Sequence, residues 1–322
     1  MTGVTDRPTG SVAVVGCGAL GGVFAGLLSA AGMDVTVVAR SGEQRKEIAA
    51  EGLRMLENGR ETRLRLRVCA ELPPQKAKES FDLVLILVKA FDTDAVAAHL
   101  AGRIPPDTPV LTLQNGLGNA EALAARLKPG QILAGVTTFG ALRESAGAVR
   151  LTGRGECVIG AWHREAERHT RPVAELLSNA GIPCTASPHV LPVLWKKLAV
   201  SAVINPLTAI LRIPNGELLQ RPELDPLMAE ITEEVWRVAA RHRIPLPTPP
   251  ELVEEVHRVC RGTASNRSSM LRDVEEGRPT EIGSINAAVV RLGRERGALA
   301  PANQALASLV LAISQRAGKA SP

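Results

Sequence analysis

The sequence predicts an α/β protein in which an N-terminal doubly wound sheet is followed by an all-α C-terminal domain. In the first half, short Val- and Leu-rich runs alternate with helical segments, and strands joined by crossovers of this length form parallel sheets. After about residue 188 the pattern changes to helices punctuated by proline and glycine. We therefore expect one domain over residues 1–188 and a helical domain over residues 189–322.

The predicted strands of the first domain are short, apolar and bounded by turn-forming residues. They cover residues 11–15, 34–39, 81–88, 108–113 and 131–136, and a small-residue helix is predicted over residues 22–31. Residues 147–162 differ, because two short alternating segments flank a glycine-containing turn at residues 152–155. That pattern predicts an antiparallel hairpin.

The second domain is predicted to contain only helices. They cover residues 190–211, 226–242, 250–261, 265–276, 281–296 and 302–315. Ser265 is a suitable N-cap for the helix that follows it. Pro206 removes the donor that the carbonyl of Ala202 would use, which predicts that the first helix bends or ends there. The apolar part of the last helix, residues 302–313, suits either a core position or the face of a homodimer.

The composition excludes several classes of function. The chain has 322 residues with four phenylalanines, three tryptophans and no tyrosine, which excludes a tyrosine acid or nucleophile and disfavours aromatic stacking on nucleic acid. The formal charge of +5, from 38 basic and 33 acidic residues, is spread along the chain. Such an excess suits an anionic ligand as well as an ordinary solvated surface. No nucleic-acid partner is expected.

Cysteine usage and the N-terminus bear on where the protein works. The five cysteines are odd in number and form no Cys-x-x-Cys pair, and the six histidines are scattered, which argues against a disulfide framework and a metal site. Residues 1–11 are polar and lack the apolar core of a signal peptide. We expect a cytoplasmic protein with no membrane partner.

A glycine-rich loop follows the first predicted strand. Gly16, Gly18 and Gly21 fit Gly-x-Gly-x-x-Gly between a strand and a helix, and the loop is completed by Cys17, Ala19 and Leu20. Here the first glycine permits a tight turn, the second lets the backbone approach a pyrophosphate, and the third allows close helix–strand packing. We favour a Rossmann-like, dinucleotide-binding domain over a purely structural turn.

The end of the second strand bears on which dinucleotide is bound. An NAD-binding strand usually ends in Asp or Glu, which accepts from the ribose 2′-hydroxyl. Here residues 34–39 are followed by Arg40, whose planar guanidinium suits a 2′-phosphate. We therefore expect NADPH; the alternative is an Arg that only faces solvent.

A polar stripe runs along the first predicted helix of the second domain. Lys197, Ser201 and Asn205 are spaced so that they share one helix face, with Thr208 beside them, in an otherwise apolar segment. A lysine that faces the interior is a candidate general acid. The alternative is that Lys197 extends to solvent while Ser201 and Asn205 bond neighbouring backbone.

A second polar cluster lies downstream, at residues 265–270 and 280–282. It supplies hydrogen-bonding side chains and the carboxylate of Glu281. Thr280 and Glu281 also fit an ordinary helix start with an acid in the first turn. The residues alone leave both readings of Glu281 open.

Taken together, these motifs resemble the ketopantoate reductase (2-dehydropantoate 2-reductase) family along nearly the whole chain. Besides the glycine loop, the resemblance rests on Val88-Lys89-Ala90, Leu113-Gln114-Asn115-Gly116-Leu117-Gly118, Trp195-Lys196-Lys197-Leu198, Asn205-Pro206-Leu207-Thr208-Ala209, Pro214-Asn215-Gly216-Glu217, and Ser268-Ser269-Met270 followed by Asp273 and Thr280-Glu281-Ile282.

The resemblance implies NADPH-dependent reduction of a small anionic 2-oxo acid, 2-dehydropantoate (ketopantoate), to (R)-pantoate in pantothenate and coenzyme A biosynthesis. It also implies a role for each matching residue. Lys197 is expected to be the general acid, and Glu281 to orient Lys197 or the substrate. Substrate contacts are expected from Asn115, Lys197, Ser201, Asn205, Asn215, Asn266 and Ser269. Cofactor contacts are expected from the glycine loop, from Lys89 and Asn115 near the nicotinamide, and from Arg40 at the 2′-phosphate.

One departure from the family pattern keeps alternatives open. The family commonly has Asn one turn after the lysine, where this chain has Ser201. Serine has a shorter reach and no amide, so a related reductase of another 2-oxo or 3-oxo acid stays open. A non-catalytic NADPH-binding regulator is a further alternative; the presence of both Lys197 and Glu281 argues against it.

Overall fold

The computed structural model describes residues 10–74 and 80–317, so the polar segment predicted at residues 1–11 lies mostly outside the described residues. The chain divides into two compact units. One comprises Met1–Gln114 and Asn119–Val190, and the other comprises Asn115–Gly118 and Leu191–Pro322. Each unit has its own hydrophobic core. The α/β class, with a parallel sheet followed by a helical region, is confirmed.

The first unit is built on an eight-stranded sheet. Strands of the whole unit are β1 Ser11–Val15, β2 Asp34–Val38, β3 Leu53–Glu57, β4 Arg60–Leu64, β5 Arg67–Cys69, β6 Leu83–Ile86, β7 Val110–Thr112, β8 Ile132–Thr137, β9 Gly140–Arg143, β10 Ala148–Gly153, β11 Cys157–Ala161 and β12 Cys184–Ala186. The large sheet has the order β12-β11-β8-β7-β6-β1-β2-β5, and its pairs are parallel except for β8 with β11. Central strand β6 is buried along its whole length, as expected for a parallel sheet covered on both faces.

Helices of the first unit are α1 Ala19–Ala30, α2 Gly42–Glu51, α3 Thr93–Leu100, α4 Asn119–Ala124 and α5 Glu167–Asn179. Helix α1 is rich in small residues because a second sheet packs closely on it. A side chain at Gly22 would bring Cβ within 2.5 Å of Val149, and one at Gly26 would come within 2.7 Å of Met55. Phe24 and Phe139 add an edge-to-face ring contact there, at 5.4 Å between centroids.

The antiparallel hairpin predicted over residues 147–162 is wrong. Strand β10 pairs with β3 and β9 in a four-stranded sheet of order β4-β3-β10-β9, whereas β11 joins the eight-stranded sheet beside β8. The intervening residues cross between the sheets, and the amide of Thr138 donates to the carbonyl of Glu156 at 3.0 Å. Alternation correctly identified strands here but carries no information about which strand each one pairs with. Strands β3, β4, β5, β9 and β12 were not predicted, and helices α2 to α5 were given no bounds.

The second unit consists of helices and short 3₁₀ turns. Its helices are α6 Val190–Leu211, which enters the unit at Leu191, α7 Asp225–Arg241, α8 Pro249–Gly262, α9 Ser269–Glu275, α10 Asn286–Glu295 and α11 Pro301–Ala317. Two predicted boundaries are wrong. Ser268, not Ser265, is the N-cap of α9, because its hydroxyl accepts from the amide of Leu271 at 3.0 Å. The helix predicted over residues 281–296 is split into a 3₁₀ turn, Glu281–Gly283, and α10.

Helix α6 does not end at Pro206, contrary to one outcome predicted from the sequence. It continues to Leu211, and the carbonyl of Ala202 accepts instead from the side chain of Asn286 at 2.9 Å. Among the residues the structure describes, α6 is also the helix long and apolar enough to cross a membrane. Because 56% of the most apolar 18-residue stretch of this helix is buried inside the protein, its composition fits a core helix equally well.

Candidate active site

The glycine loop has the geometry that its sequence pattern predicts. Gly16 adopts φ +105°, a conformation that L side chains rarely take, and a Cβ there would lie 2.7 Å from the amide nitrogen of Val88. A Cβ at Gly21 would collide with the carbonyl oxygen of Gly16. Both glycines are therefore required by the protein's own packing.

Gly18 differs from its neighbours, and this difference tests whether the loop fits a dinucleotide. It is the N-cap of α1, it is exposed, and a Cβ built there would have no atom within 4 Å. Within residues 10–74 and 80–317, no side-chain cap bond is made at this helix start. A bare helix N-terminus beside an open, side-chain-free position fits a phosphate group that approaches the backbone.

Gln44 holds the glycine loop through the backbone carbonyl of Cys17. The side-chain amide of Gln44 donates to the carbonyl of Cys17 at 2.7 Å in a buried position. Burial raises the pKa of the Cys17 thiol to about 11, an effect that the Arg143 guanidinium partly offsets. The thiol is therefore neutral at physiological pH and adds no negative charge next to an anion. Gln44 was not predicted from the sequence.

Arg40 follows the end of β2, as the sequence requires, and its partner is an aspartate that the sequence did not reveal. Its guanidinium lies 3.0 Å from the carboxylate of Asp92, and the Arg40 side chain is 86% exposed. Arg45 donates to the carbonyls of Ala39 and Arg40 at 2.7 and 2.6 Å, which holds the backbone at this strand end. One monodentate pair leaves most of the guanidinium's five donors for another anion.

Lys89 lies just after β6, where Gln114 ties together the ends of two neighbouring strands. The Gln114 amide donates to the carbonyl of Val88 at 3.0 Å and to the hydroxyl of Thr93 at 2.8 Å. Lys89 is half-buried and is the N-cap residue of the 3₁₀ turn Ala90–Asp92, which also carries the partner of Arg40. The fold thus brings the segment that contains Lys89 to the carboxyl edge of the sheet, where ligands of doubly wound folds bind.

Three predicted site residues form one hydrogen-bonded array in the second unit. The ammonium of Lys197 donates to Oδ1 of Asn115 at 2.9 Å, and Nδ2 of Asn115 donates to Oε2 of Glu281 at 3.3 Å. Glu281 is 6% exposed, and the other two side chains are half-buried. The Asn115 amide therefore links a cation to a carboxylate, because its oxygen accepts from Lys197 and its nitrogen donates to Glu281. The two bonds together fix the orientation of the Asn115 side chain.

The backbone explains why Asn115 meets Glu281. Gly116 adopts φ +83°, and a Cβ there would collide with the carbonyl of Ser284. The amide of Leu117 donates to that same carbonyl at 2.8 Å, and the Ser284 hydroxyl donates to the carbonyl of Glu281 at 3.0 Å. Residues 115–118 consequently belong with the helical unit although they follow strand β7 in the chain.

The other residues predicted to bind substrate differ in their burial and in their hydrogen bonds. Ser201 and Asn205 are half-buried on the Lys197 face of α6, and the nearby Thr208 hydroxyl bonds to the hydroxyl of Ser268 at 2.7 Å. Asn215 is buried and uses its amide on Thr263 at 2.9 Å.

Asn266 and Ser269 are exposed. The backbone joins Asn266 to the loop of Asn215, because the amide of Asn215 donates to the carbonyl of Asn266 at 2.9 Å.

Over residues 10–74 and 80–317, no three His, Cys, Asp or Glu side chains are grouped so that they could hold a metal ion.

Comparison with known proteins places the chain in a family. Residues 12–164 match the family model described as ketopantoate reductase PanE/ApbA, and residues 189–314 match the model of its C-terminal part. The 2-dehydropantoate 2-reductase of Archaeoglobus fulgidus is 36% identical over 305 residues, which cover 94% of this chain and 97% of that protein. That of Halobacterium salinarum is 34% identical over 95% of this chain and 99% of that protein.

Solved structures show the same architecture from end to end. A D-mandelate dehydrogenase in ternary complex with NADH and anilino(oxo)acetate matches with a TM-score of 0.89 at 27% identity, over 96% of this chain and 99% of that one. A PanE/ApbA family ketopantoate reductase from Ralstonia eutropha JMP134 matches with a TM-score of 0.85 at 29% identity, over 97% of this chain and 100% of that one. The chain is therefore an oxidoreductase that belongs to the ketopantoate reductase family, whose reductases use NADPH.

Proposed function

We propose that this protein reduces 2-dehydropantoate to (R)-pantoate with NADPH, a step of pantothenate and coenzyme A biosynthesis in the cytoplasm. The observation that carries the proposal is the array of Lys197, Asn115 and Glu281 in a member of this family. We assign cofactor binding to the domain over residues 1–188 and substrate binding to the domain over residues 189–322. When bound, NADPH supplies the hydride.

Lys197 is the proton donor in this proposal. An alkoxide forms on C2 of the 2-oxo acid as the ketone is reduced, and a positioned ammonium both stabilises that charge and protonates the oxygen. Asn115 accepts one of the three ammonium donors at 2.9 Å and thereby limits the rotation of Nζ. Glu281 accepts from Nδ2 of Asn115 and so holds the amide that positions the Lys197 ammonium.

The substrate carboxylate and hydroxyl need donors close to Lys197. Ser201 and Asn205 follow Lys197 at successive turns on the same face of α6, so we assign them to the substrate. Asn266 and Ser269 are assigned to it as well. Asn215 is assigned a supporting part, because its side-chain amide already bonds Thr263.

For the cofactor, we assign the glycine loop to the pyrophosphate, Lys89 and Asn115 to the nicotinamide end, and Arg40 to the 2′-phosphate. The Arg40 assignment predicts a change of cofactor preference. Arg40→Ala should weaken NADPH binding about 10- to 100-fold, because charge-assisted bonds to a phosphate are lost, and should leave NADH binding within about twofold. Titration of both cofactors by fluorescence measures this, with the exposed Arg63→Ala as a matched control. Equal losses for both cofactors in Arg40→Ala would refute the assignment.

Two glycine substitutions separate packing from ligand contact in the loop. Gly18→Ala meets no protein atom within 4 Å, so the protein should keep its thermal stability yet lose at least about tenfold in NADPH affinity, because the methyl group occupies the position of the pyrophosphate. Gly16→Ala is strained by its φ of +105° and should lower stability and affinity together. Unchanged NADPH affinity in Gly18→Ala would show that the phosphates bind elsewhere.

Steady-state NADPH and NADH oxidation with a panel of 2-oxo acids tests the proposed function itself. The panel contains 2-dehydropantoate, smaller branched 2-oxo acids and phenylglyoxylate, an aryl 2-oxo acid chosen because a solved relative is a D-mandelate dehydrogenase. We expect the highest kcat/KM for 2-dehydropantoate with NADPH. A clear preference for another acid would identify a related reductase, a substrate change to which Ser201 would contribute. Tight NADPH binding without turnover of any acid would indicate a non-catalytic regulator.

A further inference from the structure

A buried asparagine completes the hydrogen bonding of helix α6 where Pro206 interrupts it. Proline has no N–H, so the carbonyl of Ala202, four residues earlier, loses its usual helical donor. Nδ2 of Asn286 donates to this carbonyl at 2.9 Å, and Asn286 is 0% exposed. The side chain of a distant residue therefore substitutes for the missing backbone donor, and α6 continues to Leu211.

The orientation of the Asn286 amide is itself fixed by a buried chain of hydrogen bonds. Its Nδ2 also donates to Oδ1 of Asn303 at 2.9 Å, and Nδ2 of Asn303 donates to Oε2 of Glu234 at 2.8 Å. The Glu234 carboxylate accepts from the backbone amides of Ala302 and Asn303 at 2.8 and 2.9 Å. These amides open helix α11, where a carboxylate is favoured by the helix dipole. Glu234 and Asn303 are both 0% exposed, so this chain of bonds is sheltered from solvent.

These hydrogen bonds join the elements that carry the residues of the proposed site. Ala202 follows Ser201 on the helix that carries Lys197, and Asn286 begins α10 directly after the segment that carries Glu281 and Ser284. One amide thus joins α6 to the segment of Glu281. The same two elements are linked a second time through Asn115, by bonds of 2.9 and 3.3 Å.

We propose that Asn286 is a positioning residue for the reduction: by capping the Ala202 carbonyl that Pro206 leaves without a donor, it holds α6 against the Glu281 segment and so sets the geometry of Lys197, Asn115 and Glu281. This inference rests on the proposed function. Asn286 touches no reacting atom in this scheme. Its effect passes through the placement of Lys197, and a displacement of about 1 Å in a reacting group is enough to cost about 100-fold in rate.

Asn286→Ala should lower kcat for 2-dehydropantoate about 10- to 100-fold and leave the Kd for NADPH within about twofold. The pH dependence of kcat should change as well, because it reports the ionisation of the groups in the substrate complex. A residue that only stabilises the fold would lower the unfolding midpoint and leave kcat and its pH profile unchanged below that midpoint.

Pro206→Ala provides a specific rescue. Alanine at this position restores the N–H that donates to the Ala202 carbonyl, so the side-chain cap becomes partly redundant. In the Pro206→Ala background, we expect Asn286→Ala to reduce kcat by less than about threefold, and its effect on the unfolding midpoint should shrink in parallel. Pro206→Ala alone should retain most of the wild-type kcat.

Val310→Ala is the matched control for general destabilisation. Val310 is also 0% exposed in the core of the helical unit and takes no part in this chain of bonds. Its truncation should lower the unfolding midpoint while kcat stays within about twofold. Full kcat in Asn286→Ala, or an equal loss of kcat with and without Pro206, would overturn the inference. If the wild-type chain reduces no 2-oxo acid, the proposed function fails first, and the positioning role fails with it.

Discussion

Lys197→Ala is expected to lower kcat for 2-dehydropantoate by about 10²- to 10⁴-fold, the range over which positioned general acids contribute. The Kd for NADPH should stay within about twofold, because Arg40 and the glycine loop, not Lys197, are assigned to its phosphates. The loss should appear equally in kcat and kcat/KM if Lys197 acts mainly on the alkoxide-like transition state. Stopped-flow NADPH oxidation and a fluorescence titration measure the two quantities.

The neighbouring lysine is a natural control for this experiment. The side chain of Lys196 is 46% exposed and pairs with Glu255 at 3.3 Å, whereas the Lys197 ammonium bonds Asn115. Lys196→Ala removes the same charge from the same helix, and an exposed ion pair contributes about 1 kcal/mol or less to stability. It should therefore retain nearly full kcat. Comparable losses in both variants would show that net charge, rather than the placement of Lys197, is responsible.

Glu281→Gln is the second substitution with a large expected effect, about 10²-fold in kcat. Glutamine keeps an oxygen that accepts from the Asn115 amide, so the change removes the negative charge and preserves the array. The variant therefore tests whether the charge of the carboxylate, and not only its hydrogen bond to Asn115, supports proton donation by Lys197. Steady-state kcat of wild type and variant measures the effect.

Glu281→Ala separates charge from hydrogen bonding. It removes the bond between Nδ2 of Asn115 and the carboxylate, and a single hydrogen bond contributes about 0.5–1.5 kcal/mol to the free energy of unfolding. We expect a lower unfolding midpoint than in Glu281→Gln and at least as large a loss of kcat. Wild-type kcat in Glu281→Gln combined with a loss in Glu281→Ala would assign the carboxylate a purely geometric role.

Much of the fold was predictable because it is encoded in local patterns. The strand at residues 11–15, the glycine loop and the helix at residues 190–211 each follow from periodicity or from backbone requirements that one segment carries by itself. The pairing of β10 and β11 was not predictable, because each strand is completed by partners outside the segment. Strands β3 to β5 were missed because they are short and rich in charged residues: β4, for example, has four exposed residues before its one buried residue, Leu64.

The site shows the same division between local and distant information. Helical spacing placed Lys197, Ser201 and Asn205 on one face, and the rule for proline identified Ala202 as a carbonyl without a donor. The partners of these groups lie far away in sequence. Asn115 and Glu281 are 166 residues apart, and Asn286 is 84 residues from Ala202.

Long-range pairs of this kind leave no trace in the spacing of a single sequence. Asp92, the partner of Arg40, is another example, at a separation of 52 residues. Resemblance to a family supplied what periodicity could not. It identified Glu281 as a candidate, whereas the local sequence around Glu281 fits an ordinary helix start equally well.

A crystal structure of the protein with NADP⁺ and pantoate would test the central claim, the assignment of Lys197 as proton donor, most directly. The decisive quantity is the distance from Nζ of Lys197 to the C2 oxygen of pantoate. We predict about 3 Å, the hydrogen-bonding distance that proton transfer requires, with Asn115 still joining Lys197 to Glu281. A C2 oxygen bonded to a different acidic group, with Lys197 beyond hydrogen-bonding distance, would contradict the assignment.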